Sequence, residues 1–238
     1  MASYLVAQGF ASSTSDVYQI TGEPAVVRSR RAGPVFPGGM EGLELVQRKA
    51  PTLSYEGYLA PETYRVFRDA SLTEVITKLL TERNKELLEV FPNQADGSGS
   101  LFEGALKEVA VPEVVTMASI IERETRHSED RGLVADILWR RYLKGWALQV
   151  DSSVHYAVDK TGDVFTSDAD RSVDSLWNTY KYPGLPPGPI CNPSVESVKA
   201  ALNPEKNNYW YFLTGSDGKM YYAQTLEEHN MNRAKYLR

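Results

Sequence analysis

Cysteine is almost missing: Cys191 is the only one in 238 residues, which excludes an internal disulfide and a thiolate metal cluster. Histidine is scarce too, and His127, His155 and His229 stand too far apart for a ligand spacing such as H-E-x-x-H. Neither a metal nor another cofactor is expected. Basic residues are outnumbered, 26 against 31 acidic ones, and the net charge of −5 argues against nucleic acid as a partner, since phosphates call for a concentrated basic surface. The short cluster Arg28-Ser29-Arg30-Arg31 reads as a solvated loop. No apolar run approaches the ~18 residues of a membrane span, and Met1-Ala2-Ser3-Tyr4 does not open a charged leader with an oily stretch behind it. A soluble chain is the expectation. No G-x-S-x-G elbow, P-loop or dinucleotide fingerprint occurs, so a serine hydrolase, a nucleotide-binding enzyme and a nicotinamide oxidoreductase have no support. Cys191, between Ile190 and Asn192, reads as a structural thiol because nothing nearby argues for a lowered pKa.

What is present is an ordinary globular composition, 42% hydrophobic and 11% aromatic, enough for one large core or two modest ones. Residues 1 to about 54 show little periodicity, and the Gly/Pro-rich stretch 32–39 breaks what there is. From Ser71 the pattern sharpens. Ser71 and Glu74 form a capping box, and Leu72, Val75, Ile76, Leu79 and Leu80 make a helical stripe reaching about Val90. Residues 92–100 then read as a flexible connection and the best candidate for a hinge. Further on, Ser128-Glu129-Asp130 opens a helix with the stripe Leu133, Val134, Ile137, Leu138 and Tyr142, stopped by Gly145. Aromatic runs at 209–214 and 219–223 flank Gly215-Ser216-Asp217-Gly218 as a β-hairpin with a four-residue turn, its aromatics serving the core and cross-strand packing. Thr225 and Glu228 cap a terminal helix. Helices packed with a short antiparallel hairpin, without strand–helix alternation, predict an α+β fold. The expected division is an N-terminal subdomain, residues 1–106, and a second domain, residues 107–238.

One helix carries a charge out of place. Between Val111 and Thr125 apolar residues recur at three- and four-residue spacing, with Pro112 suited to the first turn. At roughly 100° per residue, Met117, Ile120, Ile121 and Glu124 share one stripe while Glu122 points the opposite way, towards water. Burial raises a carboxyl pKa, the condition for a general acid that keeps its proton near neutral pH. A structural glutamate at the edge of the core, paired with an arginine, fits the same spacing.

Two other segments mix chemistry-bearing side chains. Leu148 to Tyr156 gathers amide, carboxylate, hydroxyl and aromatic groups, which suits sugar recognition and equally suits a strand with a polar outer face. Ser175 to Tyr180 leads into a loop stiffened by Pro183, Pro186, Pro187 and Pro189, read either as a groove wall rimmed by Tyr and Trp or as a Pro-rich linker or partner ligand.

Taken in order, residues 55–64, 117–125, 148–151, 178–180, 184–190, 200–204 and 225–230 resemble the MltG/YceG family of bacterial endolytic murein transglycosylases, covering most of residues 55–238. The resemblance makes 107–238 the catalytic domain and places the family's catalytic glutamate, the second Glu of its I-I-E-x-E-T motif, on Glu124, the residue the helical face singles out by itself. It implies a Glu124 near the end of a helix lining a groove. Gln149, Asp151, Tyr156, Asn178, Thr179, Tyr180, Gly184, Leu185, Pro186 and Pro187 are then expected to contact substrate. The implied substrate is the glycan strand of peptidoglycan, cleaved between N-acetylmuramic acid and N-acetylglucosamine with a 1,6-anhydro end. Implied partners are peptidoglycan synthases of the penicillin-binding type, on the extracytoplasmic face of the bacterial membrane. A muramidase-type hydrolase with Asp151 as second carboxylate, and a non-catalytic peptidoglycan-binding module, remain alternatives. The chain departs from the family in Asp151-Ser152-Ser153-Val154, where members usually read Asp-Pro-Thr-Val, and in Trp177, where Tyr is common. Family members also carry a membrane anchor and a LysM-like region ahead of the catalytic part; without the first and with little of the second, this chain resembles a shortened catalytic portion.

Overall fold

The helix that carries Glu124 lies at the centre of the molecule. The computed structural model describes residues 1–24, 41–92, 102, 104–160 and 166–237; the Arg28–Arg31 cluster, the 32–39 stretch and nearly all of the expected 92–100 hinge lie outside them. Among the described residues the chain forms α1 (Ala2–Ala7), α2 (Thr14–Thr21), α3 (Leu72–Val90), α4 (Val111–Glu124), α5 (Ser128–Leu143), α6 (Asp151–Ala157), α7 (Asp168–Arg171), α8 (Val195–Leu202), β1 (Tyr211–Thr214), β2 (Met220–Ala223) and α9 (Leu226–Tyr236). Helices with one antiparallel pair make the fold α+β, as the sequence predicts. None of the described helices is long and apolar enough to cross a membrane.

α4 is more deeply buried than an amphipathic stripe implies. Val111, Val114, Val115, Met117, Ala118, Ile120 and Ile121 are all inaccessible, and so is Ser119. A helix apolar nearly all round belongs inside, and α4 packs along α8 while also meeting α5 and α6. The polar groups in this run turn inward to the backbone: Thr116 Oγ1 donates to the Pro112 carbonyl at 2.8 Å and Ser119 Oγ to the Thr116 carbonyl at 2.7 Å. One cluster of buried side chains, from Ala2 and Leu5 through Ile76 and Leu80 to Val198 and Ala201, surrounds α4.

Local signals hold where they are backbone chemistry. α3 starts with the expected capping box, the Ser71 N–H donating to Glu74 Oε2 at 2.7 Å and the Glu74 N–H to Ser71 Oγ at 3.3 Å. Thr225 and Glu228 cap α9 in the same way. Gly145, at φ +66°, follows the end of α5. The hairpin pairs Phe212 with Tyr222 and Leu213 with Tyr221. Its connection between the strands, residues 215–219, is one residue longer than expected, and the Gly215 N–H reaches the Lys219 carbonyl across it at 2.8 Å.

Side chains from distant segments tie the helices together. Asn84 Oδ1 accepts the N–H groups of Leu45 and Val46 at 3.0 and 3.3 Å, and Asn192 Oδ1 accepts those of Gly57 and Leu59 at 2.7 and 3.2 Å. Arg141 of α5 donates to the Trp210 carbonyl ahead of β1 at 2.6 Å and to the Leu148 carbonyl at 2.5 Å. That arginine fixes the hairpin and the approach to α6 at once.

Candidate active site

Glu124 is the last residue of α4, and the chain leaves the helix at extended Thr125, whose hydroxyl closes on the Ile121 carbonyl at 2.7 Å. Glu124 is half-buried as a residue, and its carboxyl meets the first turn of α6, where the Ser152 N–H donates to Oε1 at 3.1 Å. Burial pushes the Glu124 pKa up and the charge of Asp151 adds to it, while Ser152 and Arg123 oppose. Arg141 and Tyr180 also sense the Glu124 charge. The net result is an acid that holds its proton to higher pH than an exposed glutamate.

Glu122 corrects the sequence reading. Instead of facing water it reaches α8, where its Oε2 accepts the Ser194 N–H at 3.1 Å, Ser194 Oγ at 2.6 Å and Ser197 Oγ at 2.7 Å. Arg131 stands 3.8 Å away. Burial alone raises its pKa, but the donors and the arginine outweigh burial and hold it below the ordinary value. Two glutamates two residues apart are thereby pushed in opposite directions, one towards an acid and one towards a fixed anion.

The segment after α5 is neither a strand nor a loop throughout. Gln149 takes φ +53°, a left-handed conformation uncommon for a side-chain-bearing residue, and leaves its side chain exposed. Its N–H donates to the Thr179 carbonyl at 3.2 Å, and the Val150 N–H to Thr179 Oγ1 at 3.1 Å. The chain then turns directly into α6, which carries Asp151 at its start and Tyr156 near its end. Asp151 is engaged: Tyr180 Oη donates to its Oδ1 at 2.6 Å, and Arg171 lies 3.5 Å from the same oxygen and 5.0 Å from the centre of the Tyr180 ring.

Asn178 and Thr179, expected to contact substrate, are buried instead, at 0% and 1% exposure. Asn178 Nδ2 donates to the carbonyls of Arg171 and Val173, both at 2.9 Å, and Thr179 Oγ1 shares a 2.8 Å hydrogen bond with Ser153 Oγ. Both side chains are consumed in holding the loop, because a buried amide or hydroxyl must find partners inside. Tyr180 is the member of that segment whose side chain reaches Asp151.

The Pro-rich loop is pinned rather than free, which removes the linker reading. Trp177 Nε1 donates to the Gly188 carbonyl at 3.1 Å, and the Ile190 N–H reaches Ser119 Oγ on α4 at 3.0 Å. Gly184 and Leu185 are partly exposed and Pro187 is exposed, while Pro186 is buried. Cys191 lies behind this wall, its Sγ donating to the Ser119 carbonyl at 3.3 Å and its thiol pushed up to about 12 by burial. A thiol so protonated is structural.

Sequence reasoning did not single out Glu56, Arg141 or Ser152 as site residues. Tyr156 Oη donates to Glu56 Oε2 at 3.2 Å in a small cleft lined also by Ser54, Trp177 and Pro189, and burial raises the Glu56 pKa. The signal for Glu56 was its neighbour: Gly57 holds φ +87° with Pro189 where a Cβ would sit, so the turn exists to bring 54–57 against the loop. Among the described residues no three His, Cys, Asp or Glu side chains converge as a metal-holding group.

The YceG-like family model matches residues 6–235. The chain is 37% identical to an endolytic murein transglycosylase of Bacillus subtilis (strain 168) over 182 residues, 76% of this chain and 48% of that protein. An endolytic murein transglycosylase of Streptococcus pneumoniae (strain R6) is 31% identical over 209 residues, 85% of this chain and 36% of that protein. The crystal structure of a yceG-like protein from Listeria monocytogenes superposes with a TM-score of 0.74 at 32% identity, covering 97% of this chain and 71% of that one. The chain spans about half or less of the length of the curated relatives it matches. With the match running over nearly all of its residues and the fold shared, the chain belongs to the YceG-like family.

Proposed function

We propose that this chain is the catalytic portion of an endolytic peptidoglycan lytic transglycosylase with Glu124 as its acid/base. The observation that carries the reading is a lone glutamate at a helix end, its pKa raised by burial, beside an aspartate already committed to Tyr180 and Arg171. Glu124 donates its proton to the glycosidic oxygen leaving C1 of N-acetylmuramic acid. As carboxylate it then takes the proton of that sugar's C6 hydroxyl while the oxygen attacks C1, closing a 1,6-anhydro ring without water. Ordinary glycosidases need a second carboxylate as nucleophile or as base for water, a requirement the internal hydroxyl removes. Gln149, Tyr156, Tyr180 and the 184–187 loop contact the glycan, and Asn178 and Thr179 hold that surface in shape. The names of the relatives support murein as substrate. In the intact protein the reaction takes place on the extracytoplasmic side of the bacterial membrane, with penicillin-binding synthases as partners and nascent strands as the material cut. Mass spectrometry of digested peptidoglycan tests the reaction: anhydro-muramic ends are expected, and reducing muramic ends without them would favour the hydrolase.

A further inference from the structure

We propose that the cleft between Glu56 and Tyr156 is an acetamido pocket, which takes the N-acetyl group of a sugar close to the bond that is cut. It deepens the reading of the chain as an enzyme acting on murein and rests on that reading for the identity of the sugar. The cleft, about 270 Å³ counted to its open mouth, has Leu53, Trp177 and Pro189 as apolar walls and Ser54, Glu56 and Tyr156 as polar groups. Clefts that enclose a whole ligand hold roughly 300–1,000 Å³, so this one suits a single substituent of a sugar. Ser152, whose N–H meets Glu124, and Tyr156 lie four residues apart on α6, roughly 6 Å along its axis. Acid and cleft are thus anchored to one short helix, one turn apart.

Each part of an acetamido group finds its match. Glu56 Oε2 takes the Tyr156 hydroxyl at 3.2 Å, and among the described residues no donor reaches Oε1, which is left to accept an amide N–H. Ser54 Oγ accepts the Glu56 N–H at 3.3 Å and keeps its own proton for an amide carbonyl. The methyl group lies against Trp177, whose Nε1–H is already given to the Gly188 carbonyl and whose ring stands 6.2 Å from that of Tyr156. Burial is the largest influence on Glu56 and raises its pKa, against the Tyr156 hydrogen bond and the charges of the Met1 amino group and Arg123. A cleft built for a cation would hold its carboxylate charged. This one disfavours the charge and offers an acceptor with little water around it, where a hydrogen bond to an amide counts for more.

Binding is measured with Glu124→Gln, which spares the glycan, on N-acetylated strands and on strands chemically stripped of their N-acetyl groups. The N-acetylated strand is expected to bind about tenfold more tightly. Its binding is expected to shift the Trp177 indole N–H signal, assigned by its loss in Trp177→Phe, and the stripped strand is expected to leave that signal in place. Adding Glu56→Ala removes the preference, whereas Glu56→Gln, which keeps an acceptor, preserves it. In the otherwise unsubstituted chain, Glu56→Ala is expected to raise KM for cleavage about tenfold with kcat little changed. Equal binding of the two strands, an indole that ignores the N-acetylated strand, or a preference that survives in folded Glu56→Ala overturns the pocket. So does tighter binding of the stripped strand, whose ammonium groups Glu56 and Glu23 would then hold. With cleavage by the parent intact, any of these leaves the enzyme reading standing. A preference abolished by Glu56→Ala in a protein whose parent form cleaves no glycan upholds the pocket and removes the catalytic reading instead.

Discussion

Tyr180 Oη donates to Asp151 Oδ1 at 2.6 Å, and Arg171 closes on the same oxygen from 3.5 Å. The aspartate that a hydrolase would need as second carboxylate is therefore held by a phenol and a guanidinium, next in the chain to Ser152, whose N–H donates to the acid itself. Its remaining influence on Glu124 is electrostatic, since its negative charge raises the Glu124 pKa. Asp151→Asn is expected to keep the anhydro product and to reduce cleavage by about tenfold or less, against the 10²–10⁴-fold typical of losing an acid or base. Removing that charge lowers the Glu124 pKa, so the alkaline limb of the pH profile moves to lower pH. Loss of all cleavage in folded Asp151→Asn would make Asp151 a partner in the chemistry.

Glu122 is predicted to matter for stability and not for cleavage. Glu122→Ala strands the donors of Ser194 and Ser197, at a cost on the order of 2 kcal/mol. The folded pKa is depressed, so this contribution is present above the ordinary glutamate value and is lost as pH falls through the folded one. Urea unfolding at pH 7 and at pH 3 checks it: the gap between variant and parent narrows in acid.

Glu124 has the opposite linkage. Its folded pKa is raised, so the folded state holds the proton longer than the unfolded chain and stability falls as pH rises from the ordinary glutamate value through the folded one. Glu124→Gln carries no such proton, and its unfolding is expected to be less sensitive to pH across that window, with a gain over the parent above it. Parallel unfolding curves for both proteins from pH 4 to 8 would contradict the raised pKa.

Among the described glycines, Gly57 is the one whose replacement is expected to cost most. At φ +87°, an added Cβ would lie 2.4 Å from Pro189 Cγ, so Gly57→Ala combines backbone strain with overpacking, on the order of 3 kcal/mol. Thermal unfolding measures the loss, and loosening of the 184–190 loop should lower cleavage along with it.

Legibility in the sequence followed the range of the interaction. The Ser71 and Thr225 boxes, the stop at Gly145 and the hairpin were readable because each depends on neighbours a few residues away. The α4 stripe separated Glu124 from Glu122 but misplaced Glu122, since periodicity gives a direction and not what lies there; α8, some 70 residues later in the chain, supplied its polar surroundings. The burial of Asn178 and Thr179 was hidden for a related reason, because the groups that engage them come from 153 and from 171–173. A polar residue in a site-like segment looks the same whether its partner is a sugar or its own backbone.

The most direct measurement is a digest of intact peptidoglycan by the parent chain and by Glu124→Gln side by side, read by mass spectrometry. The account predicts anhydro-muramic ends from the parent and cleavage reduced by 10²-fold or more in the variant, with glycan binding retained. Equal cleavage by the two proteins would contradict it.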